Sequence, residues 1–185
     1  MTIERFNGED AAWIEDELRQ VYREAFAEPP YSKTDLDAET NFQRFRAQVK
    51  KDGFRAVLAR SDDGEPVGMA YGYPIPATTG WWRTLTTPAP ARVSHEDGQR
   101  TFGLFELAVR PAWRRQHLAT ALHRALTEGL THERVLLNTR PEAEAARRAY
   151  RSWGYEKVGE NHPWTDAALH DVLILTLAGQ NPAAR

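Results

Sequence analysis

The chain has 185 residues, 41% hydrophobic and 27% charged, the composition of a soluble globular protein long enough to bury a sizeable core. Its 24 basic and 26 acidic residues leave a net charge of −2, which gives no basis for a general nucleic-acid or membrane-surface role. The absence of cysteine excludes disulfides, thiolate metal sites and cysteine catalysis. No histidine spacing suits a metal, no apolar run reaches membrane-spanning length, and the start MTIERFNGED lacks signal-peptide character, so the expectation is a cytoplasmic protein with no bound metal.

Residues 2–6 read as a short first strand. From Asp10, a candidate N-cap, to Glu28, the apolar residues Ile14, Leu18, Val21, Ala25 and Phe26 fall at helical spacing, and Pro29-Pro30 ends that run. A second helix is expected over about 35–50, closed by Gly53, with Phe42, Phe45 and Val49 on one face. Two apolar runs at 54–59 and 67–71, separated by Asp63-Gly64, predict a hairpin. Residues 74–100 carry several prolines and Trp81-Trp82 without periodicity, and a stretch that long inside a domain is usually functional or mobile. A strand at about 101–109 then feeds a helix at about 115–130, followed by a buried-type strand at 134–138 and a helix at 142–153 ended by Gly154. Strands at 155–158 and 172–177 close the order, leaving a polar tail. This alternation predicts an α/β (α+β) fold: one domain over 1–178 with a mixed sheet, a parallel central pair joined through the helix at 115–130, and a disordered tail at 179–185.

The chain is organised around Phe105–Leu126. A strand turning at Arg110-Pro111 into a helix is an anion site, because the first N–H groups of a helix lack internal partners and the helix dipole adds positive charge there. Arg110, Arg114 and Arg115 add three cations, so a phosphate group is expected. Glu106 is the one acid in the apolar strand, on the face opposite Leu107. It is either a general base with a pKa raised by burial, or a partner of an arginine, or a residue at an open sheet face. His95, Glu96 and Asp97 are competing bases. Trp81 and Trp82 read as walls of a ligand pocket, or alternatively as a core cap or dimer contact. Tyr31 reads as a turn aromatic packing on the core. Arg147, Arg148 and Arg151 read as a solvated face or, alternatively, as contacts to a ligand phosphate, and His123, His132, His162 and His170 as surface or incidental residues.

Val109-Arg110-Pro111 followed by Arg114-Arg115-Gln116-His117-Leu118-Ala119 resembles the GNAT N-acetyltransferase superfamily, whose signature is Arg or Gln, two residues, Gly, one residue, then Gly or Ala. His117 stands at the glycine position. A second segment, Ala146 to Tyr155, resembles the superfamily's later motif of alanine and tyrosine on a helix ending in Gly-aromatic, with Ala143 where an asparagine is common. With the helix–helix–hairpin prelude, the resemblance covers nearly the whole chain. It implies a mostly antiparallel mixed sheet flanked by helices, with a central parallel pair. It implies acetyl-CoA as acyl donor, its pantetheine along Leu107, Ala108 and Val109, and its pyrophosphate within Arg114, Arg115, Gln116, His117, Leu118, Ala119 and Thr120. Tyr150 would be the general acid for the CoA thiolate, Glu106 the base, and Tyr31, Trp81 and Trp82 acceptor contacts. The resulting expectation is direct acetyl transfer to a primary amine, first of a small molecule and second of a protein, without nucleic acid or membrane and with a homodimer open. A non-catalytic acyl-CoA binder or sensor, and a phosphate-ligand domain without CoA, are the competing readings.

Overall fold

The side-chain oxygen of Asn7 accepts hydrogen bonds from the N–H groups of Glu9 and Asp10 at 3.0 and 3.1 Å, so the first helix starts earlier than the Asp10 expected from the sequence. In the computed structural model, which describes residues 1–177, this helix is α1 (Gly8–Trp13). Gly8 is required there, since a Cβ would lie 2.0 Å from the Val49 carbonyl oxygen. The single helix expected over 10–28 is broken at Ile14 (φ −105°, ψ 16°), where α2 (Glu15–Phe26) begins. Thr34 and Asp37 form a reciprocal capping box that opens α3 (Asp35–Gln48) and hold the Asp37 carboxyl at about 2.

The chain divides into two compact units, residues 1–73 with 104–129, and 74–103 with 130 onward. The first holds β1 (Thr2–Asn7), β2 (Arg55–Arg60) and most of β3 (Pro66–Pro74), paired antiparallel in sequence order. It also holds the downstream part of β4 (Thr101–Val109) and α5 (Leu118–Thr127). Leu18, Val21, Tyr22 and Ala25 of α2 and Phe42 and Phe45 of α3 bury against Ala56, Leu58, Met69 and Tyr71 of the sheet. Burying such side chains contributes roughly 1.5–3 kcal/mol each. On the opposite face α5 presses close, because a Cβ on Gly68 would lie 2.9 Å from Leu122 and 3.3 Å from Leu118. His123, expected at the surface, is instead buried within α5, and burial pushes its imidazole down to about 4.

In the second unit the first residues of β4 pair parallel with β5 (Arg134–Thr139), and β5 pairs antiparallel with β7 (His170–Thr176), which pairs with β6 (Glu156–Asn161). The strand order is β1-β2-β3-β4-β5-β7-β6, a seven-stranded mixed sheet, mostly antiparallel, with one parallel pair. The 74–100 segment is more ordered than its lack of periodicity suggested. It carries a 3₁₀ turn (Trp81–Thr84) and the short α4 (Ala91–Ser94). It also bridges β6: Leu85 pairs with Asn161, and the Thr86 N–H donates to the Glu160 carbonyl at 2.8 Å, covering an edge strand. Its anchor is a buried ion pair. Glu96 accepts from Arg134 (2.8 Å), Trp82 Nε1 (3.0 Å) and Thr101 Oγ1 (2.9 Å), and Arg134 lies over the Trp82 ring at 5.3 Å. Among the described residues no helix is long and apolar enough to cross a membrane. The tail expected at 179–185 lies outside the described residues.

Candidate functional site

The first unit places the cradle residues in one continuous run. Leu107, Ala108 and Val109 end β4, and the Arg110 N–H donates to the Val67 carbonyl at 3.0 Å. A 3₁₀ turn (Pro111–Trp113) follows, then Arg114 in extended geometry and two left-handed residues, Arg115 (φ 63°) and His117 (φ 59°). The sequence placed the helix start near 115. These left-handed residues delay it to Leu118, because neither fits a right-handed helix. His117 is the N-cap but makes no side-chain cap, and the first turn of α5 contains no acid. The N–H groups of Leu118, Ala119 and Thr120 are thus the orphan donors of a helix start, aided by its dipole and opposed by no nearby carboxylate on that turn.

The glycine position occupied by His117 does demand positive φ, and histidine is among the residues that tolerate it better than most. The arginines act differently from the sequence expectation of three phosphate-facing charges. Arg110 pairs with Glu24 (2.5 Å) and donates to the Pro66 carbonyl. Arg114 pairs with Glu28 (2.9 Å) and donates to the Ala25 and Val109 carbonyls at 2.8 and 3.2 Å. Both therefore fasten the turn to the end of α2. Arg115 and His117 are exposed and have no side-chain partner among the described residues, while Gln116 donates to the Ala112 carbonyl. What this turn offers an anion is main-chain N–H groups plus Arg115, which has no side-chain partner among the described residues.

Glu106 also lies in the first unit. Its carboxyl makes no hydrogen bond or ion pair among the described residues and keeps only partial exposure, so the arginine-paired alternative does not hold. Burial raises it to about 8, against the opposing pull of Arg44 and Lys33. Its charge adds to burial in holding the Tyr22 and Tyr71 phenols above their usual range. Tyr71 is 1% exposed and its hydroxyl accepts from Asn41 Nδ2 at 3.2 Å. Sequence reasoning missed Tyr22, Asn41 and Tyr71. Each sits in an apolar stripe or beside one, and only tertiary packing brings them toward Glu106. Tyr31 packs edge-on against Phe26 (4.8 Å), and Tyr73 stacks on Phe105 at 4.2 Å.

Tyr150 belongs to the second unit, on α6 (Glu144–Ser152). Gly154 (φ 92°) ends this helix: its N–H donates to the Arg151 carbonyl and the Tyr155 N–H donates to the Tyr150 carbonyl, satisfying the last turn. Tyr150 is 7% exposed, and its ring lies edge-on to Trp153 and Tyr155 at 5.5 and 5.4 Å. Arg147, expected on a solvated face, instead pairs with buried Asp171 at 3.1 Å. In the same unit Trp82 is buried on Glu96 and borders a hollow of 380 Å³ with Arg83, Leu85, Pro88, Ala89 and Ser94. Trp81 is half-buried beside it. Of the competing bases, Glu96 is held in its ion pair, and Asp97 accepts from the N–H groups of Gln99 and Arg100. Among the described residues no group of three His, Asp or Glu could hold a metal.

Residues 16–155 match the family described as acetyltransferase (GNAT). No curated protein matches the chain. Among solved structures it resembles an acetyltransferase of GNAT family from Staphylococcus aureus Mu50, with TM-score 0.65, 14% identity, and 95% and 98% of the two chains covered. It also resembles aminoglycoside 6′-acetyltransferase type Ii (TM-score 0.64, 17% identity, 95% and 97% covered). An aminoglycoside 6′-N-acetyltransferase complexed with coenzyme A matches with TM-score 0.62, 17% identity, and 95% and 97% covered.

Two predictions follow from the geometry of the first unit. His117→Val, a β-branched residue forced to positive φ, should cost about 1–2 kcal/mol in urea unfolding, whereas His117→Gly should change stability by less than about 1 kcal/mol. Equal losses would show that the loop does not hold this conformation. The second concerns Glu106. Its folded pKa is raised, so the native state binds a proton that the unfolded chain has released between about pH 4.5 and 8. Stability from this group is therefore lost as pH rises through that window. Glu106→Gln should unfold at the same denaturant concentration as wild type near pH 4 and become more stable by on the order of 2 kcal/mol near pH 8, a figure discounted for the group's partial exposure.

Proposed function

The chain belongs to the acetyltransferase (GNAT) family, and from that membership we propose that it transfers an acetyl group from acetyl-CoA to a primary amine of a small molecule by direct attack. The observation that carries this reading is the turn after β4. It has two left-handed residues, an uncapped and acid-free start to α5, and arginines drawn back to α2, which together leave main-chain donors for a pyrophosphate. Leu107, Ala108 and Val109 would accept the pantetheine arm by strand addition, with Arg115, His117, Leu118, Ala119 and Thr120 around the phosphates. The small-molecule acceptor is supported by the two aminoglycoside acetyltransferases of similar fold.

Glu106 is the base in this proposal. A carboxylate with its proton affinity near neutrality can take the proton of an incoming ammonium, directly or through one water. The amine nitrogen then forms a bond to the thioester carbonyl carbon while the developing oxyanion is met by a main-chain N–H such as that of Val109. As the C–S bond breaks, the electron pair leaves with sulfur, the Tyr150 phenol supplies its proton, and the surplus proton on the new amide nitrogen passes to the resulting phenolate, directly or through water. No protein nucleophile is required. Tyr150's burial favours a second reading, a CoA-binding protein without turnover, and the same assay decides between them.

Acetyl-CoA at 100 times its Kd should raise stability by about 2.7 kcal/mol, seen as a higher unfolding midpoint. Thiol release across a panel of small amines should show kcat/KM rising about tenfold per pH unit and levelling near pH 8. Tyr150→Phe should lower kcat by roughly 10²-fold. Binding without thiol release for any amine would support the sensor, and a Phe variant equal to wild type would remove Tyr150 from the chemistry.

A further inference from the structure

The guanidinium of Arg114 joins three parts of the first unit. Nε donates to the carbonyl of Val109, the last residue of β4, at 3.2 Å. Nη2 donates to the Ala25 carbonyl at 2.8 Å, and Nη1 pairs with Glu28 at 2.9 Å. Arg110 makes a parallel link to Glu24 at 2.5 Å. The cradle turn is thus tied to the last turn of α2 and to Glu28, two residues beyond its end. That end of α2 fixes the 27–34 loop. The Phe26 carbonyl accepts from the Lys33 N–H at 2.8 Å, the Glu28 carbonyl accepts from the N–H groups of Tyr31 and Ser32 at 3.2 and 3.0 Å, and the Tyr31 ring rests on Phe26.

We infer that this junction is a coupling strap, with Arg114 and Glu28 as positioning residues that transmit cofactor binding at Leu107–Thr120 to the loop carrying Tyr31 and Lys33. The inference rests on the CoA cradle proposed above. Arg114 stands at the head of the family motif, yet its three donors face carbonyls and a carboxylate. A ligand on the main chain of Val109 or on the 115–120 donors restrains the turn that Arg114 belongs to, and the 27–34 loop is fastened to that turn through Arg114. The side chains of Arg114 and Glu28 are 41% and 55% exposed, so the pair contributes little to global stability. Its consequence lies in geometry, because a bidentate-capable guanidinium on fixed acceptors defines the spacing between turn and helix.

Hydrogen–deuterium exchange with CoA as the probe tests this. In wild type, saturating CoA should slow exchange at least threefold both over 107–120 and over 26–34, with the Lys33 amide as the most direct reporter. Glu28→Gln should keep its urea midpoint, bind CoA and retain protection over 107–120, yet lose most of the protection over 26–34. Arg114→Gln, which removes all three donors, should lose it entirely. Equal protection of 26–34 in wild type and both variants would overturn the strap, as would a wild-type response confined to 107–120. Absence of protection over 107–120 at millimolar CoA is a separate outcome that sinks the cradle reading and the strap with it.

Discussion

Everything proposed for this protein depends on the backbone of one turn. Between β4 and α5 the chain must leave several N–H groups unpaired, at a cost the rest of the fold has to offset. Arg115 and His117 hold left-handed conformations there, each costing a non-glycine residue about 1 kcal/mol or more. Such a conformation persists only where its surroundings over-determine it. Here the surroundings are identifiable. Arg110 and Arg114 clamp the turn to Glu24, Glu28 and the Ala25 carbonyl, while Leu118, Leu122 and Leu126 seat α5 against the sheet at Gly68. The apparent surplus of positive charge in the sequence is largely consumed by this clamp, so the proposed anion site relies mainly on the main chain.

Glu106 presents the second constraint, in the opposite sense. A carboxyl without a hydrogen-bond partner in a partly buried position is destabilising when charged, and natural folds keep such groups where chemistry requires them. The neighbouring Arg44 and Lys33 moderate the cost without removing it. A pKa near 8 trades some driving force for the ability to change protonation state near neutral pH. The buried phenols of Tyr22 and Tyr71 reinforce this setting, since their ionisation is opposed by the same carboxylate and by burial. The site is thus a stressed region on a well-packed support of α2, α3 and the sheet.

Much of the fold was legible because its signals are local. The Asp63-Gly64 turn and the Gly154 stop each rest on a mechanism acting within a few residues, and the β2–β3 hairpin and the end of α6 stand where those signals put them. The α1–α2 break at Ile14 was not legible, because the apolar spacing continues through it and the true cap, Asn7, competes with Asp10 by geometry alone. The destinations of Arg110, Arg114, Arg147 and Glu96 were equally hidden. Their partners lie tens of residues away, and charge on a sequence does not say whether an arginine faces a ligand or an acid of its own chain. The motif singled out the turn between β4 and α5, and its departure at His117 marked a residue that holds a left-handed backbone there.

The central claim is that main-chain groups of the β4 end and the following turn hold CoA. Amide chemical shifts recorded while the ¹⁵N-labelled protein is titrated with CoA test it most directly. The account predicts the largest saturable shifts at Leu107–Val109 and Arg115–Thr120, with the orphan N–H groups of Leu118, Ala119 and Thr120 moving furthest. Shifts confined to other residues, or none at millimolar CoA, would contradict it.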